Sequence, residues 1–138
     1  MAPLAAQSSE GVIARCGASE GQGYFFHDPV MNPEGPDWSK DGISSGRIVL
    51  VRLGDEWDIQ FDDIAGAYGY REDGARVIPL GGADNLLTVG AFRGTYVDIY
   101  TFNFAGNEVL WTSHKIGTAI GKVAIYRAEC TFTGSATN

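Results

Sequence analysis

Arg47-Ile48-Val49-Leu50-Val51-Arg52-Leu53-Gly54-Asp55-Glu56-Trp57-Asp58-Ile59-Gln60-Phe61-Asp62 is the stretch that decides the fold class. Its second half alternates apolar and polar residues without a break from Trp57 to Asp62. That period of two belongs to a strand with one buried face. Its first half holds a continuous apolar run from Ile48 to Val51, as expected for a strand covered on both faces. Gly54-Asp55-Glu56 between them supplies a short hairpin loop. The alternation predicts that Trp57, Ile59 and Phe61 face the core while Asp58, Gln60 and Asp62 face water.

The same pattern extends in both directions. Towards the C-terminus, Tyr68-Gly69-Tyr70 and Arg76-Val77-Ile78-Pro79 flank Glu72-Asp73-Gly74, which reads as a hairpin. Three segments follow: Leu86 to Ala91, Tyr96 to Phe102 and, after Ala105-Gly106-Asn107, Glu108 to His114. Lys122 to Cys130 is the last. Towards the N-terminus, Val12 to Cys16 and Gly23 to Phe26 read as two further strands. No stretch reads as a long helix, and the 19 glycines suit frequent turns. Eight or nine short strands in sequence favour antiparallel neighbours. A sheet with that many strands must curl, split or close to protect its edges. The expected fold is therefore an all-β antiparallel meander closed as an eight- to nine-stranded up-and-down barrel; a two-sheet β-sandwich is the alternative. The expected organisation is a tail over residues 1–11, one domain over 12–133 and a tail over 134–138.

Cys16 and Cys130 lie near opposite ends of the patterned region, 114 positions apart. No CxxC or Cys-His spacing points to zinc. Each lies in a strand-like segment beside a chain end, and in a closed meander the first and last strands are neighbours. The pair is expected to form a disulfide, which implies a periplasmic or secreted protein; two buried thiols are the alternative. Residues 1–8 read equally as a signal-peptide remnant or a loose tail. The formal net charge of −7, with ten scattered Lys and Arg, disfavours nucleic acid and anionic membrane surfaces as partners. No run of 18 apolar residues offers a transmembrane helix.

Residues 27–46 break the tight-turn scheme. They carry Pro29, Pro33 and Pro36 and no strand pattern, and Asp37-Trp38-Ser39-Lys40 reads as a short helical turn. Loops longer than about 12–15 residues are uncommon and often functional. The layout, a meander with one long early loop, resembles the lipocalin-type barrels in architecture. Their N-terminal Gly-x-Trp signature is absent, so no residue roles follow from the resemblance.

Few residues suggest catalysis. There is no Gly-x-Ser-x-Gly elbow, no Gly-Lys-Ser/Thr phosphate loop, no calcium-loop spacing and no haem motif. Acidic neighbours such as Asp55-Glu56 and Asp62-Asp63 sit where turns and strand ends place them anyway. A small hydrolase or isomerase would have to use Asp98 or His114. The aromatic residues are more suggestive, because one face of the Tyr96–Tyr100 segment sets Asp98 between two tyrosines, which suits a barrel with a partly polar interior. The leading expectation is a non-enzymatic exported binding domain for a small apolar or amphipathic ligand or a protein partner, with no metal or cofactor. A structural or interaction subunit of the cell envelope or an appendage comes second. The candidate binding residues are His27, Met31 and Trp38 in the loop, with Asp98, Tyr100 and His114 in the strands. Trp38 is expected to act either as a recognition anchor or as a plug for one barrel end.

Overall fold

A computed structural model describes residues 11–42, 46–63 and 66–133. The expected tails therefore lie, Gly11 aside, outside the described residues, as does the side chain of Asp62. The described chain forms ten strands and no helix: β1 (Val12–Phe25), β2 (Asp37–Asp41), β3 (Arg47–Leu53), β4 (Glu56–Asp63), β5 (Gly66–Gly69), β6 (Arg76–Ala83), β7 (Leu86–Arg93), β8 (Tyr96–Asn103), β9 (Glu108–Lys115) and β10 (Lys122–Phe132). Nine of them pair antiparallel in the order β5-β4-β3-β1-β10-β9-β8-β7-β6, and β2 adds to the outer half of β1. This is one curled meander around one core, a barrel rather than a sandwich.

The alternation decides which side chains enter the core. On β4, Trp57 and Ile59 are buried and Gln60 is exposed, while Phe61 is half-buried and packs against the core. Asp58 is also half-buried, because its Oδ1 accepts the backbone N–H groups of Ile59 and Arg71 at 2.9 and 3.2 Å. On β8 the buried residues are Tyr96, Asp98, Tyr100 and Phe102; on β9 they are Val109, Trp111 and Ser113. One end of the barrel is apolar, with Phe104 stacked on Phe132 at 4.2 Å. Cys16 lies directly opposite Cys130 in the β1–β10 ladder, and the two form a buried disulfide.

Three local expectations are corrected. Val12–Cys16 and Gly23–Phe26 are not separate strands; a β-bulge between Cys16 and Ser19 lets a single strand run through the glycine-rich segment. Gly21 there serves close packing rather than turning: a Cβ on it would collide with the Ile125 carbonyl oxygen of β10. Residues 37–41 form no helical turn. They are a strand paired with Gly21–Phe25, a long-range ladder that local propensity does not encode. Finally, the segments flanking Glu72-Asp73-Gly74 do not pair with each other. β5 pairs with β4 and β6 with β7, and among the described residues no ladder joins β5 to β6.

That last divergence leaves a seam, which Arg71 bridges. Its Nε donates to the Trp57 carbonyl on β4 at 2.7 Å and its Nη2 to the Val77 carbonyl on β6 at 3.1 Å. The two bonds satisfy strand carbonyls that have no ladder partner across the gap.

Two measurements check this architecture. Ile59→Ala, at a fully buried site, is expected to cost about 2–5 kcal/mol in denaturant unfolding, and Gln60→Ala less than about 0.5. Equal losses would contradict the alternation of buried and exposed faces on β4. Replacing both cysteines by serine is expected to lower stability by about 4–5 kcal/mol, the chain-entropy value for a loop of this length. Intact mass with and without reductant, each followed by alkylation, reports whether the bond is present.

Candidate functional site

The end of the barrel opposite the Phe104–Phe132 stack holds a cavity of about 230 Å³. Strand alternation aims successive residues of three neighbouring strands into it: Tyr96, Asp98 and Tyr100 from β8, Trp111, Ser113 and Lys115 from β9, and Lys122 and Tyr126 from β10. Phe61, Tyr68 and Tyr70 line the wall across the seam, and Asp41 reaches the cavity from β2.

Asp98 is the centre of the polar network. It is only 3% exposed. Ser113 Oγ donates to its Oδ1 at 2.6 Å, and the Tyr70 hydroxyl donates to its Oδ2. The Lys115 ammonium stands 3.7 Å from Oδ2. The Tyr100 hydroxyl lies 2.6 Å from that of Tyr70, which completes a chain Tyr100–Tyr70–Asp98. Since the Tyr70 proton is committed to the carboxylate, Tyr100 is the donor to Tyr70. A buried carboxylate is tolerable only with partners of this kind.

Two further carboxylates sit at the rim. The Asp41 Oδ2 accepts from Lys122 Nζ at 2.5 Å and from the Tyr126 hydroxyl. Burial pushes the Asp41 carboxyl up, but these two hydrogen bonds and the Lys122 charge outweigh it and hold the group below the usual carboxylate range. The Asp73 Oδ2 accepts from the Tyr96 hydroxyl at 2.7 Å and from Arg93 at 3.2 Å. Burial raises the ionisation of Tyr70 and Tyr100 well above the ordinary tyrosine value, and the Asp98 charge adds to it. Tyr96 and Tyr126 are raised by burial and by the aspartates they donate to. These hydroxyls are therefore neutral, fixed donors.

The candidate residues divide between this cavity and the outer surface. Asp98 and Tyr100 belong to the cavity. His114 is exposed on the outer face of β9, since it adjoins the inward Ser113. His27 and Met31 are exposed beyond the end of β1, and Trp38 is 69% exposed on the outside, edge-on to Tyr24 at 5.2 Å. Trp38 therefore plugs no barrel end. Both histidines stand outside the barrel, so neither meets Asp98 and Ser113. The segment 27–46 touches the cavity instead through Asp41 and Gly46.

Residues 26–36 are held in place rather than loose. The Asp28 Oδ1 accepts the N–H groups of Val30 and Met31, and Asn32 Nδ2 donates to the carbonyls of Phe25 and Phe26 and to the Asp37 carboxylate. The sequence reading missed Tyr70, Ser113, Lys115 and Lys122. Ser113 and Lys115 had a legible signal, being in phase with the inward Trp111; Tyr70 did not, because it meets Asp98 only across the seam. The chain matches no known protein family, no curated protein and no solved structure.

The raised tyrosines make stability sensitive to alkali. A tyrosine whose folded pKa exceeds its unfolded value of about 10 contributes stability that is complete below pH 10 and is lost as pH rises towards the folded value. Tyr70 and Tyr100 should each steepen the loss by about 1.4 kcal/mol per pH unit above that point. In a spectrophotometric titration the ionisation of Tyr70, Tyr96, Tyr100 and Tyr126 should coincide with unfolding. Ionisation of all six tyrosines near pH 10 with the fold intact would contradict the network.

Proposed function

We propose that this protein is a non-enzymatic, exported binding domain that receives one small amphipathic molecule in the cavity at the Asp98 end of the barrel. The observation that carries the reading is the cavity itself, an aromatic chamber with a few convergent polar groups, which is the usual composition of a small-molecule site. Its size limits the ligand. A dry cavity of about 150 Å³ takes benzene, and drug-sized ligands need roughly 300 Å³ or more. A volume of about 230 Å³ therefore suits a single ring with one or two substituents. The buried disulfide supports export to an oxidising compartment.

A protein partner is the second reading, favoured by one observation. Trp38, Ile125 and Leu110 are exposed together along a shallow groove on the outer face of β2, β1, β10 and β9. Trp38→Ala is expected to leave the melting temperature nearly unchanged, so a partner lost with that variant would be lost through contact rather than through folding.

Native mass spectrometry of protein purified from its own host tests the first reading. A non-covalent adduct of single-ring size is expected, released on denaturation. A library of one-ring fragments should contain members that raise the melting temperature, since a ligand at a hundred times its Kd adds about 2.7 kcal/mol. Ligand-free protein together with a library that shifts nothing would refute a small-molecule site.

A further inference from the structure

The cavity mouth carries an unusual charge arrangement. Lys115 ends β9 and Lys122 begins β10, and the two are direct partners in the β9–β10 ladder. Residues directly opposite on an antiparallel pair share a face, and like charges there destabilise the sheet. Both side chains line the cavity. The fold thus brings two lysines to the entrance of an aromatic chamber, Lys115 leaning towards Tyr96 of β8 and Lys122 towards Asp41 of β2. Lys115 Nζ lies 4.8 Å from the Tyr96 centroid, and Lys122 Nζ lies between two rings, 5.3 Å from the Phe25 centroid and 5.6 Å from that of Tyr126.

We infer that the ligand is an anion, a small aromatic carboxylate whose ring lies among Tyr96, Trp111 and Tyr126 and whose acid group accepts from Lys115 and Lys122. This rests on the cavity being a ligand site and adds the sign of the ligand's charge. Hydrogen-bond capacity supports it. Lys122 uses one of its three donors on Asp41. Lys115 stands 3.7 Å from Asp98, too far for a hydrogen bond, and donates no other bond among the described residues. The carboxylates are engaged: Asp98 is buried behind Lys115 with a hydroxyl on each oxygen, Asp41 Oδ2 already accepts from Lys122 and Tyr126, and Asp73 Oδ2 accepts from Tyr96 and Arg93. An entering molecule therefore meets ammonium groups before it meets Asp98. The net charge of −7 opposes an anion from a distance. At physiological salt, however, screening over about 8 Å leaves the local pair to decide.

Titration calorimetry with benzoate, benzylamine and benzyl alcohol at fixed ionic strength tests the inference. Benzoate should bind at least tenfold more tightly than the other two. Lys115→Met should weaken benzoate at least tenfold and leave benzyl alcohol within about threefold, and Lys115→Arg should restore most of the benzoate affinity. Lys115→Met is the informative variant because it leaves both hydroxyl bonds to Asp98 in place; a thermal melt verifies its fold. If benzylamine or benzyl alcohol binds best, the charge assignment is wrong and the cavity remains a ligand site. If benzoate affinity is unchanged in Lys115→Met, the lysine pair does not hold the acid group. If none of the three probes binds, the inference falls, and the small-molecule reading falls with it only where the fragment library also shifts nothing.

Discussion

A single buried carboxylate, that of Asp98, constrains the rest of this molecule. An ionised group enclosed in a protein is costly unless every accessible lone pair meets a donor. Here the donors come from different parts of the sheet. Ser113 donates from the neighbouring strand β9, where the Lys115 ammonium adds its charge from 3.7 Å, and Tyr70 donates from beyond β5, across the seam where no ladder joins the described residues. Tyr70 is in turn held by its own backbone, whose N–H donates to Ile59 on β4 and whose carbonyl accepts from Ala75. Satisfying Asp98 therefore draws the two ends of the sheet together, and Arg71 fastens them one residue later through carbonyls on β4 and β6. The charge that is hardest to bury helps to close the barrel.

The same requirement shapes the cavity. A barrel of about this size fills its interior with side chains or encloses one small ligand. The end containing Phe102, Phe104, Val109 and Phe132 follows the first course, because apolar side chains need no specific partners and can pack freely. At the Asp98 end Tyr70, Tyr96, Tyr100 and Tyr126 each place a hydroxyl on an oxygen, and that geometry holds the rings in fixed positions around a space. The stacking of Trp111 on Tyr100, 5.1 Å between centroids, ties this aromatic wall to the network. The cavity thus follows from polar satisfaction taking precedence over close packing, and it leaves aromatic faces and two ammonium groups around an opening.

The segment between β1 and β3 relates to this end in an unexpected way. It is a hairpin, not a free loop. β1 continues past its pairing with β3, and β2 folds back along the extension. Asn32 anchors the turn through its Nδ2, whose two hydrogens serve the Phe25 and Phe26 carbonyls and the Asp37 carboxylate, one of them shared between two acceptors. The apolar residues that looked like anchors, Met31 and Trp38, face outward, while Asp41 at the end of β2 is carried back to the cavity rim. There it meets Lys122 and Tyr126. The hairpin thus adds a carboxylate to the rim and an aromatic patch to the outer surface.

The all-β class, the meander, the burial of Trp57 and Ile59 and the Cys16–Cys130 pairing were legible in the sequence, and each for a local reason. Period-two alternation is a property of neighbouring residues, and a closed meander places its first and last strands together whatever their detailed register. The inward direction of Asp98 and Tyr100 was legible for the same reason. What the sequence left open depends on contacts between distant segments. The strand at residues 37–41 exists because Gly21–Phe25 offers it a ladder, against a local composition that suggested a turn. The bulge after Cys16 fuses two apparent strands because β10 supplies partners on both sides of it. Tyr70 joins Asp98 because the seam brings residues 28 positions apart to hydrogen-bonding distance. Lys115 and Lys122 become a pair because of the register of one hairpin. Alternation sets which face a residue takes. Register and closure set which residues meet on that face, and they are properties of the folded sheet alone.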